Sequence, residues 1–297
     1  MLKDKLRRGF RARTMVPVAL CALLAGLGST AAAQSGRLSI GGVARSYLLH
    51  PPARRPAESR PLVLVLHGAG GTPAGIAEHT GFSRLADREG FLVAYPAARS
   101  GRWQDGRAGA ESAADVEFLR ALIDTLRRQH AVDSTRIYLA GISNGGMMAW
   151  RLACVAPKSI AAIGVVAAPM PARLAGTCAA APPVSVIALH GTSDGLAPYA
   201  GGPALLSAPE SADRWARRLG CDPASGPIRT DRVTDGTAID HLIYAECDRG
   251  AVELYSIRGG GHTWPGGPRV RLRTLGRTTR EIDATAVLWD FFRRHPR

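Results

Sequence analysis

The 297-residue chain contains no C-x-x-C pair, no apolar run of the roughly 20 residues that a bilayer crossing needs, and no internal repeat. The first absence argues against a zinc or dithiol redox site, the second against a stable membrane anchor. The third excludes collagen-like, coiled-coil and solenoid architectures. Acidic residues are in deficit, 24 against 38 lysines and arginines. The basic residues are nevertheless scattered (Arg54, Arg55, Arg127, Arg128, Arg217, Arg218) and match neither a recognition helix nor a stacking sheet, so nucleic acid is not an expected partner. The densest basic run, Arg269 to Arg280, reads as a solvated loop patch. What is present is an ordinary globular composition, 46% hydrophobic and 21% charged, too apolar for disorder and sufficient for a large core.

Residues 1–33 form a separate object. Met1–Thr14 carries six basic residues and one acid, Met15–Leu27 is almost wholly apolar, and Ala31-Ala32-Ala33 supplies small residues before Gln34. A basic head, a short apolar stretch and an A-x-A site make a secretory signal peptide, cleaved near Ala33, and imply a secreted or periplasmic mature protein. Arg7-Arg8 leaves the choice between the general and twin-arginine routes open. Loss of the leader takes the formal charge from +14 to about +9.

Four cysteines remain, Cys154, Cys178, Cys221 and Cys247. Export favours oxidation, and four cysteines allow three pairings. The preferred one joins Cys154 to Cys178 and Cys221 to Cys247. Each bridge then closes a loop of about 25 residues and contributes roughly 3 kcal/mol through loop entropy.

Short Val/Ile/Leu-rich runs occur at Leu62–Leu66, Phe91–Tyr95, Ile137–Leu139, Ile160–Val166, Val184–Leu189 and Val252–Ile257. They mostly do not alternate in polarity, as expected of strands buried on both faces of a parallel sheet. Helical stretches separate or follow them at Asp115–Gln129, Met147–Val155, Ala212–Leu219 and Glu281–Arg293. Leu38–Ile40 and Ser46–Leu49, joined through Gly41-Gly42, read as a leading antiparallel hairpin, and Pro51–Pro61 as a surface connection. This alternation predicts a doubly wound α/β sheet with helices on both faces, in one domain spanning residues 34–297.

Gly141-Ile142-Ser143-Asn144-Gly145 is a G-x-S-x-G motif between a strand and a helix. That corner holds a serine in a tight turn with its hydroxyl exposed. The alternative is a serine that merely caps the helix. A serine hydroxyl needs a base to become nucleophilic. Of the eight histidines, His262 is the candidate, because it follows a strand and the flexible run Gly259-Gly260-Gly261. His67 and His190 also end strands, and there they are expected to hydrogen-bond the loops they begin. Asp194, in Gly191-Thr192-Ser193-Asp194-Gly195, is the candidate acid; Asp222, Asp231, Asp235 and Asp240 read as turn residues. The order Ser143, Asp194, His262 is the nucleophile–acid–base order of α/β-hydrolases. His67-Gly68-Ala69-Gly70-Gly71 follows the first buried strand, and the Ala69 and Asn144 amides are the candidate oxyanion hole. This loop is not a phosphate loop, since no Lys-Ser/Thr follows it. Trp103, Tyr199 and Trp264 are candidate substrate contacts, with packing of its own loop the competing role for Trp264.

Leu66-His67-Gly68-Ala69-Gly70-Gly71, the segment Gly141 to Met147, Leu189 to Asp194 and, above all, Gly259-Gly260-Gly261-His262-Thr263-Trp264-Pro265-Gly266-Gly267 resemble the secreted polyhydroxybutyrate depolymerase and feruloyl esterase group of α/β-hydrolases. Trp103-Gln104-Asp105-Gly106 and the segment Ala114 to Leu119 fit the same pattern. The resemblance implies the α/β-hydrolase fold and cofactor-free, metal-free ester hydrolysis outside the cytoplasm. Many polymer-degrading members carry a linker and an adsorption module that this chain does not show, which favours oligomers or smaller esters. A peptidase or acyltransferase with the same three residues, or a non-catalytic binding protein on this scaffold, are the competing readings.

Overall fold

The computed structural model describes residues 33–53, 59–108, 113–178, 184–268 and 272–297. The expected leader thus lies, apart from Ala33, outside the described residues. A hairpin of β1 (Gln34–Ile40) and β2 (Val43–His50) opens the fold, followed by β3 (Arg60–Leu66), α1 (Pro73–Thr80), α2 (Phe82–Glu89) and β4 (Leu92–Pro96). Next come α3 (Ala114–Gln129), β5 (Val132–Ile142), α4 (Asn144–Val155), β6 (Ala162–Val166), α5 (Ala172–Thr177) and β7 (Ser185–Gly191). The chain continues through α6 (Ala208–Arg218), β8 (Ile228–Thr230), β9 (Ala238–Tyr244) and β10 (Val252–Arg258), and α7 (Ala284–Arg294) is the last helix.

Among the described residues these strands form a ten-stranded sheet ordered β1-β2-β4-β3-β5-β6-β7-β10-β9-β8. The pairs from β4 through β10 are parallel, and β1, β2, β8 and β9 join antiparallel at the two edges. Strand β3 shows how both faces are filled. Leu62, Leu64 and Leu66 join a core with Phe118, Leu122, Trp150 and Trp215, under α3, α4 and α6. Val63 and Val65 point the other way, to Phe82, Leu85, Leu288 and Phe292 of α2 and α7. A strand buried on both sides needs no polar alternation, which is why its sequence shows none.

The expected strands are all present, with shifted ends. Several features differ from expectation, among them helix α5 and the edge strands β8 and β9, which were not foreseen. Helices α1 and α2 were not anticipated, because each is only eight residues long and bounded by Gly81 or Gly90, too short for a periodic signal. Strand β3 begins at Arg60, inside the expected surface connection. Asp240, read as a turn residue, lies in β9 and is ion-paired with Arg258 of β10.

Because the central strands run parallel, their carboxyl ends share one rim of the sheet. His67, Ser143, Asp194 and His262 all lie in the segments that follow β3, β5, β7 and β10 at that rim. Both expected disulfides, Cys154–Cys178 and Cys221–Cys247, are formed. No helix among the described residues is long and apolar enough to cross a membrane.

Candidate active site

Ser143 sits between β5 and α4 with φ 54° and ψ −126°, a left-handed conformation costly for a side chain larger than glycine. Its N–H donates to Val166 O at 2.9 Å, and its carbonyl accepts from Met147 N, so the turn is fastened on both sides. The serine side chain makes no capping bond to the helix. Gly145 is required two residues on: a Cβ there would lie 2.5 Å from the carbonyl oxygens of Leu66 and His67. The helix can therefore pack its first turn directly against the end of β3. This is the geometry of a nucleophile elbow.

The glycine-rich loop after β3 lies over this elbow, and a Cβ on Gly68 would sit 3.5 Å from Ser143 Cβ. The Gly70 and Gly71 amides are taken by Gly101 O and Gly68 O. Neither the Ala69 nor the Asn144 N–H meets an acceptor among the described residues. His67 braces the loop. Its Nε2 accepts from Ala98 N at 3.1 Å, so the hydrogen is on Nδ1, which donates to Gly68 O at 2.7 Å. Burial pushes this imidazole below its ordinary pKa, against the raising effect of the Gly68 bond.

Asp194 and His262 are brought together at the ends of adjacent strands β7 and β10. His262 Nδ1 is 2.8 Å from Asp194 Oδ2, and Asp194 Oδ1 accepts from Leu196 N and Ala197 N, each at 2.9 Å. Burial alone would raise the Asp194 carboxyl. Hydrogen bonds from His190 and His262, the charge of His262 and the Ala197 amide outweigh it and hold the group well below the usual carboxylate range. An ionised carboxylate only accepts, so the His262 nitrogen facing Asp194, Nδ1, carries a hydrogen. Gly191 permits the approach of the two strand ends, since a Cβ there would lie 2.3 Å from Gly260 O. An imidazole held on a buried carboxylate, a strained serine, and two amides with no acceptor among the described residues thus share one rim of the sheet.

The substrate-contact expectations for Trp103 and Trp264 are corrected. Trp103 is 2% exposed, donates its indole N–H to His67 O at 3.0 Å and lies against the His67 ring. Trp264 is 1% exposed, packs edge-on to Phe82 and donates to Thr285 Oγ1. Both are too large and apolar to leave in water, and both pin loops of the site rather than line it. Tyr199 is half-buried, with its hydroxyl 2.6 Å from Ser256 Oγ, and borders a cleft of about 470 Å³ with Pro227, Leu242 and Arg258.

Three contributors carried no readable role. Asn144, whose backbone was expected, also uses its side chain: Oδ1 accepts from Trp103 N at 2.7 Å, and Nδ2 donates to Trp103 O and to Asp105 Oδ2. Asp115 Oδ2 accepts from Gln104 N, and its Oδ1 meets Arg45 Nη2 at 2.7 Å. The basic segment proves to brace the proposed base, because Leu275 O accepts from His262 N at 2.7 Å and Arg277 O from Gly261 N. Only backbone carbonyls do this, so no residue type announces it. Of this segment, residues 269–271 lie outside the described residues.

The fold and the elbow together define the α/β-hydrolase class of serine hydrolases. The family described as Esterase PHB depolymerase matches residues 45–197, and the chain belongs to that family. It is 33% identical over 278 residues to the putative esterase NocK of Nocardia uniformis, covering 85% of this chain and 80% of that protein. It is 26% identical to feruloyl esterase D of Neurospora crassa, covering 67% and 62% respectively. The acetyl xylan esterase of Aspergillus awamori shares the fold, with a TM-score of 0.58 at 17% identity, over 77% of this chain and 94% of that one. The protein is accordingly an esterase of the polyhydroxybutyrate depolymerase and feruloyl esterase type, a serine carboxylic ester hydrolase.

Proposed function

We propose that this chain is an exported serine esterase in which Ser143, His262 and Asp194 act as the catalytic triad. His262 Nε2 takes the Ser143 proton as Oγ attacks the ester carbonyl, and the Ala69 and Asn144 amides receive the oxyanion. His262 then protonates the leaving alcohol, and water releases the acyl group by the same route. Asp194 fixes the imidazole and stabilises its charged form. The observation that carries this reading is the Asp194–His262 contact of 2.8 Å on the rim that also presents the strained Ser143. The basic, then apolar leader and the two disulfides support export. Substrates are soluble or oligomeric esters of the hydroxybutyrate, feruloyl or acetyl kind.

Hydrolysis of p-nitrophenyl acetate and butyrate by wild type and Ser143→Ala tests the assignment. The variant is expected to lose at least about 10³-fold in kcat. Equal rates in both proteins would remove it. Hydroxybutyrate oligomers, methyl ferulate and acetylated xylan then rank the ester classes, and an anilide counterpart separates esterase from peptidase.

A further inference from the structure

We propose that His190 is a positioning residue for the esterase reaction, acting on His262 through Asp194 rather than on substrate; this rests on the triad assignment above. His190 ends β7, four residues before Asp194, and is 2% exposed. Its Nε2 is 2.8 Å from Ala197 O, an atom that can only accept, so Nε2 carries a hydrogen. The same nitrogen is 3.3 Å from Asp194 Oδ2, the oxygen that holds His262 Nδ1. One carboxylate oxygen therefore lies between two imidazoles, while the other accepts the Leu196 and Ala197 amides. His190 closes this ring by bonding the carbonyl of the residue whose amide holds Oδ1. The Tyr199 ring covers His190 edge-on at 5.9 Å, and its hydroxyl reaches Ser256, the β10 residue paired in register with His190. The assembly is buried, and contacts to both carboxylate oxygens hold Asp194 towards His262.

Two consequences follow. Without His190 the Asp194 carboxylate regains rotational freedom and His262 is held less productively. The charge formerly shared between two donors also falls wholly on His262, which favours its protonated form, so a higher pH is needed to free the base. The other groups around the pair do not compensate. Asp194's own loop offers amides, β10 offers neutral Ser256 and an Arg258 engaged with Asp240, and the segment behind His262 offers the Leu275 and Arg277 carbonyls with the exposed Arg273 and Arg277.

The test is the pH dependence of kcat/KM for p-nitrophenyl butyrate in the full chain. His190→Ala is expected to lower kcat roughly 10-fold with KM unchanged, and to move the acid limb upward by about half a pH unit. His190→Gln, whose amide can replace Nε2–H, is expected to return the limb towards wild type. A limb that stays in place in His190→Ala overturns the proposal, because a purely structural role lowers the amplitude without moving the midpoint. His190→Asn, which keeps polarity but cannot reach both acceptors, replaces the alanine variant if that does not fold. Independently of any variant, 15N-histidine spectra of the wild type must show a hydrogen on His190 Nε2; one on Nδ1 alone overturns the proposal. Ser143→Ala, run in parallel, separates the two readings. Full turnover there removes the triad itself, whereas loss there with an unmoved His190→Ala limb removes only this inference.

Discussion

At Gly145 a single methyl group would meet the carbonyl oxygens of Leu66 and His67 at 2.5 Å, and neither backbone atom can retreat without shifting β3. Gly145→Ala is therefore expected to destabilise the protein by about 2 kcal/mol or more, measured by urea denaturation, and to lower kcat by displacing Ser143. Single residues also set the acid response. His67, His79, His130 and His295 are all held below their ordinary pKa, with burial the largest cause in each. The unfolded chain then binds more protons than the folded one as pH falls below about 6.5, so stability rises with pH through that region and is fully present above it. Asp194 acts lower on the scale: its depressed carboxyl contributes stability above about pH 4 that is lost only as the solution becomes strongly acid. Melting temperatures recorded from pH 7 down to pH 5 should fall steadily; a flat or rising profile would contradict these assignments. The roles of His67 and His190 as loop-holding groups were legible from their positions at strand ends. That His190 touches Asp194 was not, since a four-residue spacing across a loop does not specify a contact.

Helix α4 is an element whose first turn is held from the side. Asn144 grips Trp103 and Asp105, Asp105 is paired with Arg107, and Arg151 donates to Gln104 O at 2.5 Å. The buried Arg45–Asp115 pair then ties the same loop to β2 and α3, with the guanidinium 4.1 Å over the Phe118 ring. Asp115→Ala leaves a buried arginine without its partner and should cost about 3–5 kcal/mol, read from chemical denaturation. Asp105→Asn keeps the volume but weakens the clamp on Asn144. It is expected to reduce kcat more than it raises KM, because the residue being clamped supplies one of the two amides proposed to receive the oxyanion. The Trp-Gln-Asp-Gly and Ala-Asp-Val-Glu-Phe-Leu segments were recognisable as pattern, but their purpose needed coordinates. The short helices α1 and α2 were missed for a simpler reason: eight residues between glycine boundaries leave no period to read.

For the whole molecule, the alternation of apolar runs and amphipathic stretches was enough to foresee parallel strands with helices on both faces, and with them a rim on which the candidate residues fall. The sheet's outer strands β8 and β9 escaped because they extend it antiparallel, outside the repeating strand–helix rhythm. The two disulfides cross sequence separations of 24 and 26 residues, one joining α4 to the end of α5 and the other joining the end of α6 to the turn between β9 and β10. Reducing both should lower stability by roughly 3 kcal/mol per bridge, read as a drop in melting temperature on adding a phosphine reductant. Everything at the catalytic rim nevertheless depends on Ser143 being the group that forms the acyl intermediate, and the most direct measurement is covalent trapping. Incubation with diethyl p-nitrophenyl phosphate should add one phosphoryl group, mapped by peptide mass to Ser143, and abolish esterase activity in proportion. Asp194→Ala and His262→Ala should label far more slowly. Complete inactivation with the label on another residue, or full ester turnover with Ser143 modified, would contradict the account.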